Sequence, residues 1–171
     1  MAQVISIGEA ADREPDVWPV TVGDHVFELF CESGPLFEAM VDDIAKAEHR
    51  VWLETYIFAD DGAGRPIAEA LMERARAGLD VHFLYDAWGC WQVPDALLEE
   101  MANSGVQVHP FHSLNDAVLH PNFFTFFNRR NHRKLLVVDD RVAYFGGMNV
   151  VDTAGVHTLD DARQRNLPAS A

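Results

Sequence analysis

His132 and Lys134 stand two residues apart at the head of an apolar run, within NRRNHRKLLVVDDRVAYFGGMN, residues 128–149. On an extended chain that spacing puts both side chains on one face, so an imidazole and an ammonium can meet a single anionic group. Leu135 to Val138 are apolar on both faces, which predicts a central, rigid strand, a sound platform for a reactive pair. Asp139 has the opposite parity to His132 and is expected at the strand end, hydrogen-bonded to the turn or to a neighbouring side chain. Beyond a second short strand, Gly146 and Gly147 allow close backbone approach, and Asn149 offers an amide donor. A nucleophile or base, a cation and amide donors around one point suit a tetrahedral anion, and the natural substrate of such a site is a phosphate ester. The plainer alternative is a histidine at an exposed strand end beside solvated arginines.

The charge balance sharpens the contrast. The 171-residue chain carries a formal net charge of −14, which argues against indiscriminate nucleic-acid binding. Yet Arg129, Arg130, Arg133, Lys134 and Arg141 are five of its 13 basic side chains. A local basic cluster on an acidic body is the pattern of an anion site. Cys31 and Cys90 are too few for a disulfide framework and are read as small buried residues of a reducing compartment. No metal-ligand spacing is present, and neither metal nor cofactor is expected. The start, MAQVISIGEAADREPDVW, lacks the pattern of a signal peptide, and no apolar window is long enough to span a membrane.

The elements needed to hold the pair follow from periodicity. HVFELFC (25–31) alternates as a short strand, and the segment from Ser33 onward has Leu36, Met40, Ile44 and Ala47 at helical spacing. RVWLETYIFA (50–59) reads as a strand with Val51, Leu53 and Thr55 on one face and Trp52, Glu54, Tyr56 and Phe58 on the other. A helix from Pro66 to Ala77 closed by Gly78, a strand ending at Asp86, a capped helix from Pro94 and the strand VQVHPF follow. HRKLLVVD (132–139) and VAYFGG are strands joined by Asp139-Asp140-Arg141. This alternation predicts an α/β fold with a mixed, largely parallel sheet flanked by helices. Residues 1–22 read as a loose acidic leader, 23–155 as the folded domain and 156–171 as a tail.

HRKLLVVD followed by GGMN resembles the HKD motif of the phospholipase D superfamily. Upstream, AEHRVWLETYIFADDGAGRPIAEALMERARAGLDVHFLYDAWG (47–89) and GVQVHPFHSLN resemble, in order, the N-terminal half of bacterial cardiolipin synthases. The resemblance covers about residues 24–155 and implies a phospholipase D-like half-domain and metal-independent transfer through a phosphohistidine. It implies His132 as nucleophile, Lys134 and Asn149 on the non-bridging oxygens, Gly147 close to the phosphate and Asp139 as the motif acid of the catalytic set. The reaction implied moves a phosphatidyl group between phosphatidylglycerol molecules, giving cardiolipin and glycerol.

Relatives of this type carry two HKD motifs, and this chain has one. They also continue into a strand with a Trp-Arg-Asp signature. The expectation is therefore a half-site, truncated before that strand, completed by a second HKD half or by a homodimer. A homodimeric phosphodiesterase or nuclease and an inactive lipid-binding fragment are the alternative readings. Glu54 is a candidate to orient His132, the other reading being an edge glutamate in solvent; Asp86 is expected to cap a helix or bind a loop, the other reading being a substrate contact. Phe123, Phe124, Phe126 and Phe127, followed by Arg129 and Arg130, suit contact with anionic lipid, the plainer reading being that the phenylalanines pack the core beneath a long loop. That places the chain peripherally on the cytoplasmic side of the bacterial inner membrane.

Overall fold

The computed structural model describes residues 17–111 and 130–152. Two compact units are present, residues 1–36 and 37–171. In the first, β1 (Val17–Val22) and β2 (His25–Phe30) form an antiparallel hairpin. Gly23, at φ 62°, takes the left-handed turn that a side chain resists. Residues 17–22, read above as part of the leader, are thus a strand. Their alternation was obscured by Pro19, which an edge strand tolerates. Helix α1 (Ser33–Ala45) follows, two residues shorter than its apolar spacing suggested, since Ala47 lies beyond its end. Cys31, expected to be buried, is exposed, whereas Cys90 is buried as expected.

The second unit is built on a five-stranded sheet in the order β5-β4-β3-β6-β7. Strands β3 (Arg50–Thr55), β4 (Asp80–Asp86) and β5 (Gln107–Phe111) run parallel. They are linked by α2 (Gly64–Arg76) and α3 (Asp95–Asn103). Strand β6 (Leu135–Val138) lies antiparallel to β3, and β7 (Val142–Phe145) antiparallel to β6. The sheet is mixed, with helices against it, as the alternation of elements requires.

Both crossovers step the same way along the sheet, so right-handed connection puts α2 and α3 on one face. Helix α1 joins them there, because Tyr144, which pairs with Leu136, donates its hydroxyl to Asp43 Oδ2 at 2.6 Å. Ile44 of α1, Ile67 and Leu71 of α2 and Leu97 and Met101 of α3 are buried with Val51, Leu53, Val81, Phe83, Leu136 and Val138 of the sheet. The opposite face carries Trp52, Glu54, His82 and Leu84, all at least partly exposed. Among the described residues no helix covers it. There Asp80 accepts from Trp52 Nε1 at 3.0 Å and Gln107 Nε2 at 2.9 Å, and lies 3.0 Å from His82 Nε2.

Two strand limits bear on the site. β3 ends at Thr55 rather than near residue 59, and Thr55 Oγ1 donates to Ile57 O at 2.9 Å across the bend. The bend breaks the alternation, so Phe58, expected on the open face, is buried against Phe83. β6 begins at Leu135, not at His132. The backbone N–H groups of Asn131 and Arg133 are taken by side chains, as described next, and are lost to the ladder.

Candidate active site

The carboxyl ends of β3 and β4 converge with the segment that leads into β6. Asp86, at the end of β4, is fully buried. Its Oδ1 accepts from the N–H groups of Trp88 at 3.0 Å and Gly89 at 2.9 Å, and its Oδ2 from the N–H of Asn131 at 3.0 Å. Arg130 Nη1 lies 3.8 Å from the same carboxylate. A buried charge persists only with such partners. Asp86 thus binds a loop, one of the two roles expected of it, and also anchors the residue before His132.

Asn131 is itself buried. Its side-chain amide donates to Glu54 Oε1, while its Oδ1 accepts from the N–H of Arg133 at 3.2 Å. Arg133 Nη1 lies 3.7 Å from Glu54 Oε1. Glu54 therefore grips residues on either side of His132, and no bond from Glu54 to the imidazole is present among the described residues.

The His132 ring lies on Tyr56, with centroids 3.9 Å apart and planes at 16°. Lys134 Nζ donates to His132 O at 2.9 Å and stands 5.4 Å from the centroid of the same tyrosine ring. His132 and Lys134 are thus on one side, as strand parity predicted, although the chain here is extended without a ladder. Burial pushes the Lys134 ammonium below the usual lysine range, because desolvation disfavours its charge. A bound phosphate would return that charge to favour.

The segment after β7 closes back over this end of the sheet. Phe145 pairs with Leu135 on one side of β6, whereas Val150 bridges to Phe58, beyond the end of β3 on the other. Residues 146–149 therefore cross the Leu135 end of β6, where His132 and Lys134 lie. The crossing is fastened by Ala59 N–H to Val150 O at 3.0 Å and Asp152 N–H to Asp61 Oδ2 at 2.7 Å. Asn149 Oδ1 is buried without a hydrogen-bond partner among the described residues. A Cβ placed on Gly147 would meet no heavy atom within 4 Å, so that position is open.

Asp139 lies at the other end of β6. Its carboxylate accepts from the N–H groups of Glu48 at 3.0 Å, His49 at 2.9 Å and Arg50 at 2.9 Å, and its own N–H donates to Arg50 O at 2.9 Å. Its φ of 52° is the left-handed conformation aspartate tolerates best among charged residues. The Arg50 N–H foremost, with those of Glu48 and His49, holds this carboxyl below the usual aspartate range. The motif acid clasps the start of β3 to the end of β6, which is the strand-end role that parity suggested.

Of the remaining candidates, Arg130 is turned inward rather than outward. Only 14% of its side chain is exposed, and its guanidinium carbon lies 5.4 Å from the Trp88 ring centroid. Phe123, Phe124, Phe126, Phe127 and Arg129, like the tail from 156, lie outside the described residues. Among the described residues no group of three or more His, Cys, Asp or Glu side chains could hold a metal ion. Sequence reasoning missed Asn131, whose only signal was its place before His132, and the stacking role of Tyr56.

Residues 40–161 match the family described as cardiolipin synthase, PLD-like domain. The chain is 37% identical over 137 residues to the cardiolipin synthase of Geobacillus thermodenitrificans, covering 77% of this chain and 26% of that protein. It is 37% identical over 130 residues to cardiolipin synthase A of Pseudomonas aeruginosa, covering 76% and 26%. Among solved structures, NucT from Helicobacter pylori shares the fold, with a TM-score of 0.50 at 19% identity and 72% of each chain covered. Fold and sequence together define a phospholipase D-like domain. The chain belongs to the cardiolipin synthase family. It spans about a quarter of the length of these relatives.

Proposed function

We propose that the chain carries one histidine–lysine half of a cardiolipin synthase-like phosphatidyltransferase. The observation that carries this reading is the convergence of His132, Lys134 and the 146–149 crossing at one end of β6. An imidazole nitrogen of His132 attacks the phosphorus of one phosphatidylglycerol. The N–P bond forms as the P–O bond to the headgroup breaks, and the departing oxygen takes a proton and leaves as glycerol. The hydroxyl of a second phosphatidylglycerol then attacks phosphorus and loses its proton to a base. The N–P bond breaks, imidazole is restored and cardiolipin is released. Lys134 and Asn149 hold the non-bridging oxygens, with the open backbone at Gly147 beside them. The proton donor and acceptor belong to a second HKD half or a second copy of the chain.

The same reading places the chain peripherally on the cytoplasmic face of the bacterial inner membrane, with this end of the sheet toward anionic lipid. Exposed Trp88 and Trp91, on the loop held by Asp86, support that orientation. No helix among the described residues is long and apolar enough to cross a membrane.

The test is to trap the intermediate. The chain, concentrated enough for two copies to meet, is mixed with phosphatidylglycerol labelled at phosphorus and quenched in alkali. Acid-labile label on the protein, absent in His132→Ala, and labelled cardiolipin are expected. Label that survives in His132→Ala, or cleavage of DNA in place of lipid transfer, would overturn the reading.

A further inference from the structure

Among the described residues, neither ring nitrogen of His132 makes a hydrogen bond; only its carbonyl is engaged, by Lys134. Both nitrogens are thereby left for phosphorus and protons, but nothing polar fixes the plane of the ring. Among the described residues, the contact that does so is the face of Tyr56, 3.9 Å away and nearly parallel. We propose that Tyr56 is the positioning residue for His132. Its ring covers one face of the imidazole, sets the direction in which the nitrogens point and offers π density to the cationic forms that the reaction passes through.

The tyrosine is itself held with little freedom. Cys90 Sγ donates to Tyr56 O at 3.4 Å, and a Cβ on Gly89 would collide with that same carbonyl, so the loop backbone lies directly against Tyr56. This loop is fixed by Asp86 through the N–H groups of Trp88 and Gly89. The same carboxylate holds Asn131, the neighbour of His132. One buried acid therefore anchors the supports of both members of the stack. Lys134 shares the ring at 5.4 Å, so the ammonium and the imidazole are referenced to a single aromatic surface. A stack of this kind resists rotation about the last side-chain bond of histidine, a torsion that is otherwise broad. It leaves both ring nitrogens free at the edge of the ring, whereas a hydrogen bond would occupy one of them.

The assignment of a kinetic effect rests on His132 being the nucleophile; the stacking does not. The experiment uses the full chain and reads both. In carbon–proton spectra of the histidine side chains, with His132 identified by its loss in His132→Ala, the His132 ring protons are expected upfield from ring current in wild type. Tyr56→Phe keeps that shift and the transfer rate, because the ring and not the hydroxyl is used. Tyr56→Leu moves the resonance to the position of a free histidine and lowers kcat on the order of 10- to 100-fold, with KM little changed. Wild-type His132 protons without an upfield shift would overturn the proposal before any variant is made. So would Tyr56→Phe behaving as Tyr56→Leu, or a folded Tyr56→Leu with unchanged kcat. Should His132→Ala retain transfer activity, the proposed function fails, while the ring-current result still decides the stack.

Discussion

Asp86 and Asn131, 45 residues apart in sequence, are joined by a hydrogen bond of 3.0 Å from the Asn131 N–H to Asp86 Oδ2. Through it the end of β4 fixes where the chain turns into β6, and the nucleophile candidate follows one residue later. Replacing Asp86 by alanine orphans three N–H donors, that of Asn131 buried and those of Trp88 and Gly89 part-buried, and removes a carboxylate 3.8 Å from Arg130. We expect a loss of about 3–5 kcal/mol. Urea unfolding measures it, and a change under ~1 kcal/mol would show that water replaces the carboxylate at little cost.

Asp139 predicts a response to acid. Its folded-state pKa lies below the ordinary 3.8, with the Arg50 N–H as the first cause. A depressed carboxyl contributes its full stability above the unfolded value and loses it as pH falls through the folded one. Wild type should therefore exceed Asp139→Asn in stability above about pH 4 and converge with it in stronger acid. Because Asp139 sits at the far end of β6, activity lost in this variant should track the folded fraction. A fully folded but inactive Asp139→Asn would give the acid a direct part in the chemistry.

Lys134 predicts the opposite trend in alkali. Burial lowers its pKa from 10.5, so the free protein sheds this proton earlier than an ordinary lysine would. Binding of a phosphodiester should weaken as pH rises toward 10.5, and the weakening should vanish in Lys134→Arg. A lysine depressed in the folded state costs stability at neutral pH and relieves that cost as pH rises. Lys134→Met should thus be no less stable than wild type at pH 7, yet lose about 100-fold or more in kcat. Thermal unfolding beside a transfer assay separates the two effects.

Trp91 is 72% exposed on the loop that Asp86 holds. If that end faces lipid, Trp91→Ala should bind phosphatidylglycerol vesicles on the order of tenfold more weakly, equivalent to ~1.4 kcal/mol. Cosedimentation with vesicles measures this. Equal binding by variant and wild type would direct attention to the segment containing Phe123 to Phe127.

Much of this arrangement was legible in the sequence because it rests on periodicity. The parallel strands, their helices and the hairpin of β6 and β7 all follow from apolar spacing, and so does the placing of Asp139 at a strand end. What escaped depends on contacts between residues distant in sequence. Asn131 is polar and locally unremarked; it matters because Asp86 and Glu54 meet it from two other strands. The early end of β3 was hidden because Ile57 and Phe58 prolong the apolar pattern past the bend at Thr55. β1 was missed because Pro19 and nearby acidic residues masked a hairpin that its turn glycine defines.

The order of the strands also has a consequence for biosynthesis. β3 lies at the centre of the sheet, yet one of its neighbours, β6, is separated from it by the whole of β4 and β5. At about 5–20 residues per second, a ribosome completes the parallel half of the sheet roughly one to four seconds before it delivers His132. During that interval the β3 edge stands open. The pairing of Val51 with Val138 closes it, and Asp139 latches the closed register immediately afterwards. His132 therefore leaves the ribosome three residues ahead of β6, the strand that closes the β3 edge, and β7 follows to complete the sheet.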